Sequence, residues 1–264
     1  MVETVIFAVL LIAQGVLRAL VSLNGIDPAT GFYEGHEVLI LMQDALWVTG
    51  IAAFLVWAAA QAGQVRWHFP GRWVRGIPLA VLGAALVICS AVSLMRGLLR
   101  FTEGDASLTL GWLLAQALGL VSGLILSGAS LRLCMGRKNG SGILPAAIPA
   151  VYMALLTVAQ FLRYPTAYTI SDQLLEICAL CAGAFFFLAH ARVLAGLRGK
   201  SACYARGWGF CFSFLALPLC ISQQLAAGAR AGLMMDGISR LLLAVSALYA
   251  GVFSCGLLPE EEAE

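Results

Sequence analysis

Six charged side chains stand inside otherwise apolar stretches of this chain: Arg18, Asp44, Arg96, Arg163, Glu176 and Arg240. Amides accompany them, at Gln14, Gln43, Gln160, Gln223 and Gln224. Charge is costly to place in hydrocarbon, so such groups face a protein interior or trapped water. The four arginines outnumber the two carboxylates, and an excess of guanidinium favours an anion or a lipid headgroup. The six residues are therefore the candidate ligand-binding set. A structural use competes with it, in which Arg163 pairs with Glu176 and Arg18 with Asp44, fixing the register of two helical hairpins. Arginines near helix ends also reach the headgroups unaided. A third use is a proton or ion path through Asp44 and Glu176.

Other chemistries lack their residues. His36, His68 and His190 fall at places that cannot converge on one metal, and no H-E-x-x-H spacing occurs. The run VSGLILSGAS is not a G-x-S-x-G nucleophile turn, and no histidine lies at a matching depth to serve as its base. Cys178 and Cys181 form a C-x-x-C without a second pair, inside an apolar helix, so they read as small core residues. Six of the eight cysteines fall within apolar spans, and the other two, Cys134 and Cys203, fall in basic segments, which argues against an extracellular disulfide framework. No catalytic residue, metal or cofactor is implied.

The elements that position these groups follow from composition. Of 264 residues, 61% are apolar and 11% charged, with a mean hydropathy of +0.91. A soluble domain carries about a quarter charged residues, so lipid must be the solvent for much of this surface. A net charge of +2 gives no reason to expect a nucleic-acid partner. A membrane-spanning helix needs about 20 apolar residues. Eight stretches qualify, near 4–23, 38–62, 77–99, 108–133, 143–163, 172–195, 207–228 and 237–258. No strand is predicted. The fold class expected is all-α, a polytopic membrane bundle of eight transmembrane helices in one domain over 1–264. The opening MVETVIFAVLLIAQGVLRALVSL lacks a basic n-region and an A-x-A site, so it reads as a retained first span.

Loop charge orients the bundle. Segments 63–76, 132–142 and 192–206 hold ten of the sixteen basic residues, including Arg66, Arg72, Arg75, Arg132, Arg192 and Arg206. The alternate loops are mainly acidic, with Asp27, Glu34, Glu37, Glu103 and Asp105. The positive-inside rule then expects a cytoplasmic-membrane protein with both termini and the acidic tail after Pro259 in the cytoplasm. All six candidate charges fall in the outer half of the bilayer. The loop RWHFPGRWVRG interleaves arginine with aromatics, which suits an interfacial anchor or an anionic-lipid contact.

Three patterns concern packing. The fourth span repeats a small residue at every fourth position, Gly111, Ala115, Gly119, Gly123 and Ser127, which lets another helix approach closely. The stripe serves either an internal contact or a homodimer seam. Pro218 sits mid-span and removes a helix hydrogen bond. ISDQLLEICALCAGAFF (170–186) resembles ISRLLLAVSALYAGVFS (238–254) at an offset of 68, and IAQGVLR resembles VAQFLR, so repeated hairpins in a 4+4 arrangement, with halves 1–134 and 143–258, are expected.

Residues 158–228 carry an arginine near a helix end, S-x-x-L-L-E, FFFLAHARVLAG, basic residues and LALPLCIS. In these features the chain resembles an uncharacterised family of bacterial multi-helix membrane proteins with no assigned activity. The resemblance implies a membrane fold and no functional residues. Three function classes stand open: a binding module with an outward polar layer, a permease for a small solute, and an intramembrane enzyme.

Overall fold

In the computed structural model, the described residues are 2–24, 35–62, 67–68, 72–102, 110–136, 143–163, 171–197, 200–225 and 237–259. Eight α-helices carry the fold: α1 Val2–Asn24, α2 Glu37–Gln61, α3 Arg72–Thr102 and α4 Leu110–Cys134, then α5 Ile143–Arg163, α6 Ser171–Leu194, α7 Lys200–Leu225 and α8 Gly237–Cys255. All eight are long and apolar enough to cross a membrane. The protein is thus a multi-pass helical membrane protein. The side chains of the arginine–aromatic stretch 66–75, the Arg163 side chain and the acidic tail after Pro259 lie outside the described set.

Two strands of two residues each add a small element the sequence did not predict. β1 (Trp67–His68) pairs antiparallel with β2 (Leu258–Pro259), in register Trp67↔Pro259 and His68↔Leu258. Alternation of apolar residues cannot announce so short a pairing. It joins the α2–α3 connection to the chain after α8, at the end of the bundle where α1 begins. That end is called the terminal end below, and the opposite one the far end.

Exposure shows what solvent the helices were built for. On α1 the buried face is Phe7, Gln14, Arg18, Val21 and Ser22, whereas Val5, Ile6, Val9, Ile12, Val16, Leu20 and Leu23 are exposed. The polar groups point inward and the large apolar ones outward, which is stable only against lipid. Similar exposed residues, such as Leu41, Ile88, Leu124, Phe161 and Leu241, continue this surface on α2, α3, α4, α5 and α8.

The helix α7 is the centre. It packs against α1, α2, α6 and α8, and 83% of its membrane-length stretch is buried, against 17% for α2. Its sequence explains the position. Gly207, Gly209, Cys203, Cys211, Ser213 and Ser222 let neighbours approach from several sides, while Phe210, Phe212 and Phe214 fill the spaces between them. A Cβ on Gly207 would collide with Ala58 of α2, and one on Gly50 of α2 would lie 2.7 Å from the Phe214 ring. From α3 onward the helices close a ring, α3–α4–α5–α6–α7–α8 and back to α3, and the α1–α2 hairpin docks outside it on α7.

Two expectations are adjusted here. The small-residue stripe of α4 packs internally. A Cβ on Gly123 would lie 2.7 Å from the Gly83 carbonyl oxygen, and one on Gly119 would strike Ser90, both on α3, while the Ser127 hydroxyl and amide lie against Gly83. Ala115 is buried, and only Gly111 stays in the open. A homodimer seam along the stripe would have to displace α3. The seventh helix also starts at Lys200, several residues before the expected 207. The reason is Arg206, read from sequence as a loop charge but buried within the helix.

Candidate functional site

The α1–α2–α7 junction is layered along its length. At the terminal end Arg206 is 2% exposed and pairs with Glu3 at 3.0 Å. The Trp57 indole donates to the same carboxylate at 3.0 Å. The guanidinium also lies over the rings of Trp57 (4.9 Å) and Phe210 (5.5 Å). The Glu3 carboxylate and two π faces thus help to hold the charge, the conditions under which a buried guanidinium is tolerated. Next come Phe7, Phe54, Phe210 and Phe214. Phe7 stacks on Phe210 with centroids 4.3 Å apart, and Phe54 meets Phe214 edge-on at 5.6 Å. This aromatic layer contains no polar side chain from α1.

Beyond it, toward the far end, the face of α1 turns polar. Gln14, Arg18 and Ser22 follow at intervals of four, so they line one side of the helix. Arg18 is fully buried and donates to the side-chain Oε1 of Gln43 on α2 at 3.1 Å. Ser22 approaches the Ser222 carbonyl of α7 at 3.5 Å. Because α1 meets α7 at Phe7–Phe210 and again at Ser22–Ser222, the α1 stretch that carries Gln14 and Arg18 runs along the α7 stretch that carries Pro218. Pro218 has no N–H, so the carbonyl four residues earlier, on Phe214, loses its helical donor. Several buried polar atoms at this end have no hydrogen-bond partner: Gln14 Oε1, Gln43 Nε2 and Gln223 Oε1.

A second polar group gathers where α5, α6, α7 and α8 meet at the far end. Gln160 of α5 donates to the Glu176 carboxylate of α6, which is 5% exposed. Arg240 of α8 donates to Gln224 of α7 at 2.9 Å. Cys220 lies between, its thiol 3.5 Å from the Arg240 carbonyl and within electrostatic reach of both Glu176 and Arg240.

The six candidate residues therefore separate. Arg18 joins the α1–α2–α7 group, while Glu176 and Arg240 approach each other around Cys220. Asp44, one residue past Gln43, turns away from Arg18 and accepts from the Trp47 indole at 3.0 Å. It borders an open recess of about 530 Å³ with Gly35, Glu37, Ile40 and Leu41. Gly35 on its rim and the adjoining His36 are in the left-handed conformation, φ 65° and 51°, and the His36 carbonyl receives the amides of Leu39 and Ile40. Arg96 is exposed on α3. The Arg163 side chain falls outside the described set.

Sequence reasoning passed over two buried groups. One is the Glu3–Trp57–Arg206 cluster. The other is His190 of α6, whose Nε2 shares a 2.7 Å hydrogen bond with the Tyr249 hydroxyl of α8. Phe186, Phe187 and Phe253 surround that imidazole, and its Nδ1 has no partner. A tyrosine in a span was the available signal, since its hydroxyl must find a partner once buried. Among the described residues no group of His, Cys, Asp and Glu is placed to hold a metal.

No protein-family model, curated protein or solved structure matches this chain. The likeness drawn over 158–228 therefore extends only to its multi-helix membrane character, which the eight spans show.

Proposed function

We propose that this multi-pass membrane protein is a non-enzymatic binding module, with its polar far end as the receptor surface for a small ligand, a lipid headgroup or a partner protein. The observation that carries the reading is the burial of Gln14, Arg18, Gln43, Glu176 and Gln223, each at most 5% exposed, on the half of the helices toward one end. Polar side chains are costly there, and such residues face the bundle interior or a water-filled cavity. The excess of basic residues at the terminal end puts that end in the cytoplasm, by the positive-inside rule, and the far end outside. Guanidinium groups at the far end favour ligands with an anionic group.

A permease is the second reading, and one observation favours it. Gln14 lies midway along α1, at about the depth at which transporters seat their solutes, and the neighbouring helix α7 carries a proline, Pro218, within its length.

Ligand-induced thermal stabilisation in detergent tests the binding reading, across small anionic metabolites and lipid headgroups. Stabilisation of the wild type that weakens in Arg18→Gln or Glu176→Gln is expected. Absence of any stabilisation, or equal stabilisation in both variants, would count against it. Uptake of the same solute into proteoliposomes would move the conclusion to a permease.

A further inference from the structure

We infer that the terminal end of the α6–α7 hairpin is a site for one anionic phospholipid, held on the outward face with its phosphate at Arg192 and Lys200. The site lies at the opposite end from the proposed receptor surface and does not rest on that reading. Phe185 of α6 stacks on Trp208 of α7, with ring centroids 4.6 Å apart and planes 24° apart. That stack sets the register of the two antiparallel helices. One turn nearer the terminal end come Leu188 on α6 and Tyr204 on α7, and a turn beyond them Arg192 and Lys200. Contacts on the inner side keep the same register. A Cβ on Gly183 of α6 would lie 3.1 Å from the Phe212 ring of α7, and one on Gly209 of α7 would lie 3.1 Å from the Phe186 ring of α6.

The face so formed is open. Phe185, Leu188 and Tyr204 are 50%, 42% and 41% exposed, and Arg192 and Lys200 are exposed too. It presents three levels in order: two cations, then a phenol beside a leucine, then two stacked rings. Among the described residues neither Arg192 nor Lys200 forms a hydrogen bond or an ion pair, whereas the nearby Arg206 has Glu3. The carboxylates of these two helices, Asp172 and Glu176, both belong to the far end. The helix end holds Arg192 in place. Gly196, at φ 86°, closes α6, with the Leu197 amide donating to the Arg192 carbonyl at 2.9 Å and the Gly196 amide to the Val193 carbonyl at 3.1 Å.

The order of levels matches a phospholipid. A phosphate accepts paired hydrogen bonds from a guanidinium and a point charge from an ammonium. Tyrosine and tryptophan suit the headgroup boundary, and Leu188 and the stacked rings suit the upper part of an acyl chain. A zwitterionic headgroup brings its own cation to the level where Arg192 and Lys200 stand, so the face selects lipids of net negative charge. A lipid bound there bridges α6 to α7, the helix on which the bundle is centred.

The test uses the full chain in nanodiscs of phosphatidylcholine and phosphatidylglycerol, one or the other brominated near the top of its chains. Bromine quenches adjacent indoles, and the difference between wild type and Trp208→Phe isolates the Trp208 signal. Phosphatidylglycerol is expected to be preferred at Trp208 by about fivefold or more, roughly the effect of one cation at an anionic surface. Arg192→Gln/Lys200→Gln should abolish the preference and leave Tm in phosphatidylcholine unchanged, since both side chains are exposed and unpartnered; loss of site and loss of fold are thus told apart. Arg132→Gln, which removes an exposed cation of α4 at the same end, should leave the preference intact. Equal quenching by the two lipids, or a preference that survives the double variant, means boundary lipid only and overturns the inference. An equal loss in Arg132→Gln makes the preference a property of the whole basic end and overturns it as well. Displacement of the brominated lipid by inorganic phosphate would make this a site for soluble anions, against the inference.

Discussion

The Glu3–Arg206 pair is buried unevenly, and that asymmetry fixes what happens when either partner is removed. Arg206 is 2% exposed and Glu3 37%. In Arg206→Met a side chain of similar length preserves most of the packing, and the carboxylate left behind can reach headgroups and water. The loss is then one screened ion pair and the contacts with Trp57 and Phe210, together about 1–2 kcal/mol. In Glu3→Ala the buried guanidinium loses this carboxylate, and removing one partner of a buried pair costs about 3–5 kcal/mol. The two aromatic faces offset part of this, leaving about 3 kcal/mol. The acidic partner therefore matters more, although it is the more exposed and stands next to the chain start. Equilibrium unfolding in mixed micelles measures both variants, and Arg206→Met/Glu3→Ala closes the cycle. Starting from Arg206→Met, the further change Glu3→Ala should cost well under 1 kcal/mol. Equal losses in the two single variants, or additive losses in the double, would refute the argument from burial.

Other consequences are simpler. Gly123→Ala places a methyl 2.7 Å from the Gly83 carbonyl oxygen and the Val87 amide, so about 2 kcal/mol should be lost, whereas Gly111→Ala meets nothing within 4 Å and should gain about 0.5–1 kcal/mol; unfolding midpoints decide. Tyr249→Phe leaves His190 without a partner at Nε2 in a buried aromatic cage and should cost about 1–3 kcal/mol, while His190→Phe with Tyr249→Phe should recover part of that loss. Ser130→Ala frees the Gly76 carbonyl it donates to at 2.7 Å and should cost about 1 kcal/mol in the same assay. If the terminal end is cytoplasmic, as the positive-inside rule expects, a cysteine introduced after Pro259 should react with an impermeant maleimide only in inverted vesicles; reaction in right-side-out vesicles would overturn that orientation.

Much of the fold is legible in the sequence because lipid imposes one demand on every span. An apolar run of the right length has no other use, and most helix boundaries follow from where charge begins. The start of α7 was hidden for the complementary reason. Arg206 has the same letter whether it snorkels or is buried, and only the distant Glu3 and Trp57 decide which. The centrality of α7 was also obscured. A helix surrounded by protein shows no polar stripe, and its clearest mark is many small residues on every side. At the far end the polar types were readable, yet their partners were not. Spacing makes Asp44 the natural mate for Arg18, but on α2 a step of one residue turns a side chain by about 100°. That step gives Gln43 to Arg18 and leaves Asp44 with Trp47.

Because α7 is the partner of both α1 and α2, the order of synthesis matters to the hairpin that docks on it. Glu3 and Arg18 leave the ribosome long before Arg206 exists, so α1 and α2 first enter the membrane with Arg18, Gln14 and Gln43 turned toward lipid or toward each other. The hairpin is a provisional insertion until Leu225 has been made. A chain that stalls in the α6–α7 connection would leave those polar groups facing the bilayer, and completion of the seventh helix is the step that covers them.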